Sequence, residues 1–130
     1  MSTVALLLAA LLFGGMTLFS FGFAAVLFAV YGPDQARRGI RGAFPHYYMW
    51  VIATSALAGA VAFVTSSLAA WLLIGIALST AYARQMLMLQ INAATDADDS
   101  GRFKMLHGIS MGIQLIQIGM AGWALVLLAA

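Results

Sequence analysis

The sequence predicts an all-α, four-transmembrane-helix bundle with both termini outside, and three observations carry that prediction. The 130 residues are 64% hydrophobic and only 8% charged, with a mean hydropathy of +1.00, whereas soluble domains are close to half apolar and a quarter charged. The apolar residues fall into four continuous runs, about 4–31, 45–65, 69–92 and 103–128. Each can cross a hydrocarbon layer ~30 Å thick at about 1.5 Å per helical residue. Every basic side chain, Arg37, Arg38, Arg41, Arg84, Arg102 and Lys104, lies in or toward one of the two sides that these crossings define. The runs use up most of the chain, so 1–130 reads as a single membrane-embedded domain. They are continuous rather than alternating, which argues against a β-barrel.

The first run begins Met-Ser-Thr with no basic segment before it, and charged residues follow it as a stop signal would. That predicts a retained helix rather than a cleaved signal peptide. Gly32-Pro33 ends it, and the stretch from Gly32 to Gly42 reads as a polar loop. The second run opens at Pro45, whose missing N–H suits a first turn, and Tyr47, Tyr48 and Trp50 follow at the depth of the lipid headgroups. Thr65-Ser66-Ser67 is uncharged and just long enough to reverse the chain. Trp71 opens the third run, which ends in a second polar loop from Thr95 to Arg102. The fourth closes near Trp123. With four crossings the two polar loops share one side and carry all the positive charge. The loops are therefore expected in the cytoplasm of a bacterial inner membrane, and both termini on the periplasmic side. In this reading the basic residues determine topology.

Helix four carries Gly108, Gly112 and Gly119 within about 40° of one another, a smooth strip expected to pack against a neighbouring helix of the same bundle. Beside it, His107, Ser110, Gln114 and Gln117 fall within about 80° of arc. Amides at the middle of a crossing need partners. Gln114 and Gln117 are expected to face the bundle interior, a partner or water and to serve as bonds between helices. Helices one and two offer only hydroxyls at that depth, Thr17, Ser20, Thr54 and Ser55, and a pathway needs polar partners across it. The alternative is that they line a small-molecule or ion pathway. Arg84 falls roughly level with Val51, inside the inner interface, where no carboxylate lies. It can snorkel to lipid phosphate, reach Asp96 or Asp98, or bind an anionic ligand. His46 and His107 both fall at the inner interface. Two imidazoles can ligate haem, or hold Cu(I) together with Met49, Met86, Met88 and Met105. Interfacial histidines in ordinary hydrogen bonds are the other reading.

Several chemistries are excluded or disfavoured by what is missing. The sequence has no cysteine, so disulfides and thiolate chemistry are out. It has no glutamate, and its four carboxylates, Asp34, Asp96, Asp98 and Asp99, all lie in the polar loops. That disfavours a proton-coupled carrier built on a membrane carboxylate. There is no His-Glu-x-x-His, phosphate loop or dinucleotide fingerprint. His107 and Ser110 have no orienting carboxylate beside them, so a hydrolase is not expected. A net charge of +2 gives no reason to expect nucleic acid.

Four patches nevertheless form an ordered set: Gly14-Gly15-Met16-Thr17-Leu18-Phe19-Ser20-Phe21, Phe44-Pro45-His46-Tyr47-Tyr48, Ile91-Asn92 with Asp96, and Leu106-His107-Gly108-Ile109-Ser110. Together they resemble the transmembrane-protein-205-like family of small four-span integral membrane proteins. The chain departs from that pattern at Ala25, where members often carry proline, and at Ala93-Ala94, where they tend to be basic. The resemblance implies a membrane bundle and no particular activity. It also implies a polar cluster of Arg84, Asn92, Asp96 and His107 at the cytoplasmic end. The expected role is a non-catalytic accessory or scaffolding subunit, in contact with the bilayer and with another membrane protein or copies of itself. A haem or copper protein using His107, with His46 or methionines, and a pathway along Gln114 and Gln117 are the alternatives.

Overall fold

The computed structural model describes residues 2–130 as four helical rods joined by minimal turns. They are α1 (Ser2–Tyr31), α2 (Pro33–Ala62), α3 (Ser67–Asp96) and α4 (Ser100–Ala129), each of 30 residues. A rod of that length spans about 45 Å, well beyond a hydrocarbon core of ~30 Å. Helices α1, α3 and α4 are long and apolar enough to cross a membrane. α2 is less apolar because its first turns are charged and its inner face carries Tyr47, Tyr48, Thr54 and Ser55. Only 22–28% of the residues in the apolar windows of the other three are buried inside the bundle. Leu7, Leu18, Leu78 and Ile116 point outward instead, the arrangement a lipid solvent rewards. The chain is therefore a membrane protein built as a four-helix bundle.

Both segments read as polar loops are mostly helix. Gly32 alone joins α1 to α2, with φ 87° and ψ 169°, a conformation essentially reserved for glycine. Pro33 then starts α2, with Asp34 in its first turn facing the positive end of the helix dipole. The helix continues through Pro45, which is thus interior rather than at a first turn. There it leaves the Arg41 carbonyl without its usual N–H donor. The segment 33–44 is an amphipathic extension: Ala36 is buried and Ile40 and Phe44 half-buried, while Arg37, Arg38 and Arg41 are exposed. It packs back along the end of α1, where a Cβ on Gly39 would meet Leu27 at 3.3 Å. A hydropathy reading misses this helix because charge on one face cancels the apolar signal of the other.

The second polar segment contracts in the same way. α3 runs to Asp96, and Ala97, Asp98 and Asp99 alone make the reversal. Asp98 takes a left-handed φ of 58°, which Asp tolerates better than most residues. The Asp99 N–H donates to the Ala94 carbonyl at 3.0 Å, and its side chain accepts from the Arg102 N–H at 3.1 Å, capping α4. The middle turn takes residues 63–66, beginning two residues before the expected Thr65-Ser66-Ser67, and the Ser66 hydroxyl caps α3 by accepting from the Ala69 N–H at 3.2 Å.

At the end of the bundle that holds the termini, the core is alanine. Ala5 and Ala9, Ala58 and Ala62, Ala69 and Ala70, and Ala121 and Ala124, one pair from each helix, are all fully buried. Small side chains let backbones approach, which supplies the packing that hydrophobicity cannot supply in lipid. At Gly59 the backbone of the next helix comes close: a Cβ there would lie 2.8 Å from the Ile74 side chain and 3.3 Å from the Ala70 carbonyl. The expected Gly108–Gly112–Gly119 strip does not pack within the bundle: a Cβ at any of the three would meet open space. Helix four buries the opposite set, Gln114, Gln117, Ala121, Ala124 and Leu128.

Two π-helical turns interrupt the rods, Phe19–Phe23 in α1 and Ala83–Leu87 in α3. Such turns insert an extra residue and turn the following helix face. Before the first one, 2–18 packs against both α2 and α4. After it, 24–31 packs against α2 and draws away from α4. The resulting gap is a concavity between α1 and α4.

Candidate functional site

A cavity of about 600 Å³ fills that gap at the loop end of the bundle, within the usual range for small-molecule sites. One wall is the π-helical turn of α1, with Phe19, Ser20 and Phe23, followed by Ala24 and Phe28. Opposite stand Phe103, His107, Ser110, Met111 and Gln114 of α4. The extension of α2 contributes Arg37, Arg38, Ile40, Arg41 and Phe44, and the end of α3 contributes Ile91, Asn92 and Thr95. The lining is mainly apolar, with cations grouped on one helix.

Its deep end is an aromatic cluster. The ring of Phe19 stacks on Tyr47 at 3.9 Å between centroids and on Phe23 at 5.1 Å, and meets Phe44 edge-on at 5.3 Å. Tyr48 lies beside both Phe44 and Tyr47. These contacts tie α1 to α2 across the π-helical turn, so the turn is braced on its core side. Gln114 closes the polar part of the floor. Its amide N–H groups donate to the Ser20 hydroxyl and, at 2.8 Å, to the Tyr47 hydroxyl. One side chain thereby joins α1, α2 and α4. Gln117, one turn further along α4, donates to Ser79 at 2.7 Å and Thr80 at 3.0 Å on α3. Both glutamines are buried, at 7% and 5% exposure, so they act as interhelical bonds, and Gln114 also reaches the cavity. Of the hydroxyls that helices one and two offer at that depth only Ser20 takes part, and Tyr47, Ser79 and Thr80 supply the rest.

At the mouth, Arg41 grips Asp96 with both guanidinium nitrogens, at 2.8 and 3.0 Å. The fork geometry matches a carboxylate, and it clamps the α2 extension to the end of α3. These hydrogen bonds hold the Asp96 carboxyl below the ordinary carboxylate range and push the Arg41 guanidinium further up. Arg37 and Arg38 also line the cavity, and no carboxylate pairs with either among the described residues.

The expected cluster of Arg84, Asn92, Asp96 and His107 comes together only in part. Asn92 and His107 line the cavity, and His107 stacks on Phe103 at 5.5 Å. Asp96 is taken by Arg41 rather than by Arg84. Arg84 sits in the second π-helical turn and donates through Nε to the Pro45 carbonyl at 3.4 Å. It is therefore level with Pro45 rather than Val51, because the reversal is centred between Ala62 and Ser67 and not at Ser67 itself. That places it nearer the headgroups, where its charge costs less. His46 is exposed on α2 and does not line the cavity that His107 lines. No three His, Asp or Glu side chains gather as a metal site among the described residues.

Sequence reasoning missed Arg37, Arg38 and Arg41 as parts of a site, because the positive-inside rule already accounted for them. The signal that could have found them is the helix start at Pro33-Asp34, followed by Ala36, Ile40 and Phe44 at intervals of four.

Comparison with known proteins adds one finding. No curated protein and no solved structure matches the chain. A family model described as a domain of unknown function matches residues 7–100, which takes in nearly all of α1, the whole of α2 and α3, and so three of the four cavity walls.

Proposed function

Because this chain belongs to that family, DUF4149, its role has to be read from its own residues, and we propose that it is a non-catalytic membrane protein that binds a small amphipathic molecule in the cavity between α1 and α4. The observation that carries this reading is the cavity itself: apolar walls, a few polar groups at its floor, and a cationic rim. Binding sites for small molecules have this composition. His107 and Ser110 line it, but no Asp or Glu is among its lining residues to orient an imidazole base, which supports binding rather than reaction. In this proposal all four helices cross a bacterial inner membrane, both termini are periplasmic, and the cavity opens near the cytoplasmic face. The likeness to the transmembrane-protein-205-like proteins, resting on the four sequence patches above, belongs to the same proposal.

Native mass spectrometry of the chain released from its own membrane tests it. The expected result is a chain carrying an extra mass of a few hundred daltons, roughly what a site of this size holds. That mass should be lost when Ser110→Trp fills the cavity. A chain that emerges bare, or a bound mass that Ser110→Trp does not displace, overturns the reading.

A second reading, as an accessory subunit of a membrane complex or a small homo-oligomer, is favoured by a separate observation. Gly108, Gly112 and Gly119 form a smooth strip with no neighbour in the bundle, and such strips suit close helix contacts between chains. Crosslinking in intact membranes from single cysteines beside that strip is expected to give ladders above one chain; monomers alone count against it. The haem or copper alternative draws less support, since only one of its two histidines reaches the cavity.

A further inference from the structure

We infer that the amphiphile held in this cavity is an anion, its carboxylate or phosphate head bound by Arg37 and Arg38 and its aliphatic tail laid along the aromatic wall of α1; this rests on the binding role proposed above and names its ligand class. The argument begins with the charge at the rim. Three arginines line the cavity and no carboxylate does. Arg41 is already paired with Asp96 just outside, so Arg37 and Arg38 are left with no carboxylate within salt-bridge distance among the described residues. They sit in consecutive positions, about 100° apart around the helix, beside Ala36, whose burial anchors that helix, so both guanidinium groups that line the cavity come from a rigid element. A cationic head would be repelled by this rim, and a neutral head would leave both forks unmatched. An oxyanion with two or three acceptors fits them.

The tail follows from the wall. Beyond the arginines the lining turns apolar through Phe28, Phe23 and Phe19, and the gap between α1 and α4 runs along the bundle rather than across it. A compact hydrophilic anion would leave that wall unused. The arginines lie on the extension that α2 projects toward the headgroups, the depth at which an amphiphile entering from the membrane carries its charge. The Arg41–Asp96 clamp holds the extension in place.

Titration of the whole chain in phosphatidylcholine nanodiscs separates the possibilities. The probes are dodecanoate, dodecyl phosphate, dodecanol, dodecyltrimethylammonium and inorganic phosphate. The expected result is binding of both anionic amphiphiles, with dodecanol and the cation weaker by about tenfold or more, as loss of charge-assisted hydrogen bonds implies. Inorganic phosphate should bind more weakly than dodecyl phosphate. R37Q/R38Q should weaken both anions by about tenfold while leaving dodecanol unchanged. R102Q/K104Q, which removes two charges that do not line the cavity, should leave all probes unchanged. Salt should weaken the anions and spare dodecanol, a measurement that needs no variant.

Dodecanol binding as tightly as dodecanoate would overturn the assignment of an anionic head and leave the cavity-binding role standing. Phosphate binding as tightly as dodecyl phosphate would make this a site for free oxyanions and overturn the tail. Retained anion affinity in R37Q/R38Q would remove the arginines from the site. Failure of every probe, together with a bare chain in native mass spectrometry, would take the binding role down as well.

Discussion

Gln114 shows what a single residue does in this fold. Two N–H groups on one side chain satisfy hydroxyls on two other helices, so removing it leaves Ser20 and Tyr47 without that donor in a buried setting. Gln114→Leu is expected to lower unfolding stability by about 0.6–1.7 kcal/mol, the range for interhelical hydrogen bonds in membranes. Equilibrium unfolding in mixed micelles, run as a double-mutant cycle with Tyr47→Phe, checks the cause. Strict additivity of the two substitutions would deny the coupling. Asp96 makes a prediction about pH. Its folded pKa is depressed by the Arg41 hydrogen bonds, so the contribution of the pair is present above the ordinary carboxylate pKa and is lost as pH falls through the lower, folded value. Both side chains are exposed, at 45% and 64%, so the effect on stability is small. Carboxyl carbon shifts should show Asp96 titrating below the ordinary carboxylate range, and Arg41→Gln should bring it back up. An Asp96 midpoint that Arg41→Gln leaves in place would mean that the pair does not form. The inward turn of both glutamines was legible from the cost of burying an amide. Their partners were not, because they depend on how helices far apart in sequence are aligned.

At the scale of elements, the informative features are those that break helix regularity. Gly32 holds a backbone conformation that an L side chain strains to adopt, so Gly32→Ala is expected to cost about 1–3 kcal/mol. Gly108→Ala is the contrast. Its Cβ meets nothing within the chain, and replacing a helical glycine stabilises by about 0.5–1 kcal/mol. Thermal unfolding of the two variants side by side should move in opposite directions. A destabilising Gly108→Ala would instead mean that another chain packs on that strip. The amphipathic extension of α2 was readable in principle, from Pro33-Asp34 and the four-residue spacing of Ala36, Ile40 and Phe44. The π-helical turns were not. Nothing local in Phe19-Ser20-Phe21-Gly22-Phe23 demands one. The turn persists because Phe19 is held by Tyr47 and Phe44 of another helix.

At the scale of the whole molecule, the absence of cysteine makes the proposed orientation simple to test. Single cysteines at Ser2 and Asp98 lie at opposite ends of the bundle, and each sits in or beside an exposed turn or terminus. With both termini periplasmic, an impermeant thiol reagent added to intact cells should label Ser2→Cys and reach Asp98→Cys only after the membrane is opened. The reverse pattern would invert the proposed topology.

Composition and the continuity of apolar runs determined that this chain is a helical membrane protein of four segments, because transfer into lipid depends on summed local hydrophobicity and on backbone groups being satisfied within each segment. The confinement of the basic residues to one side was likewise visible in the order of the residues. The cavity was decided only by the tertiary structure. It exists because one π-helical turn sends the end of α1 toward α2 and away from α4, and because a helical extension, rather than a loop, carries Arg37 and Arg38 to its rim. Both depend on contacts between residues distant in sequence, and no local pattern specifies the register in which those contacts form.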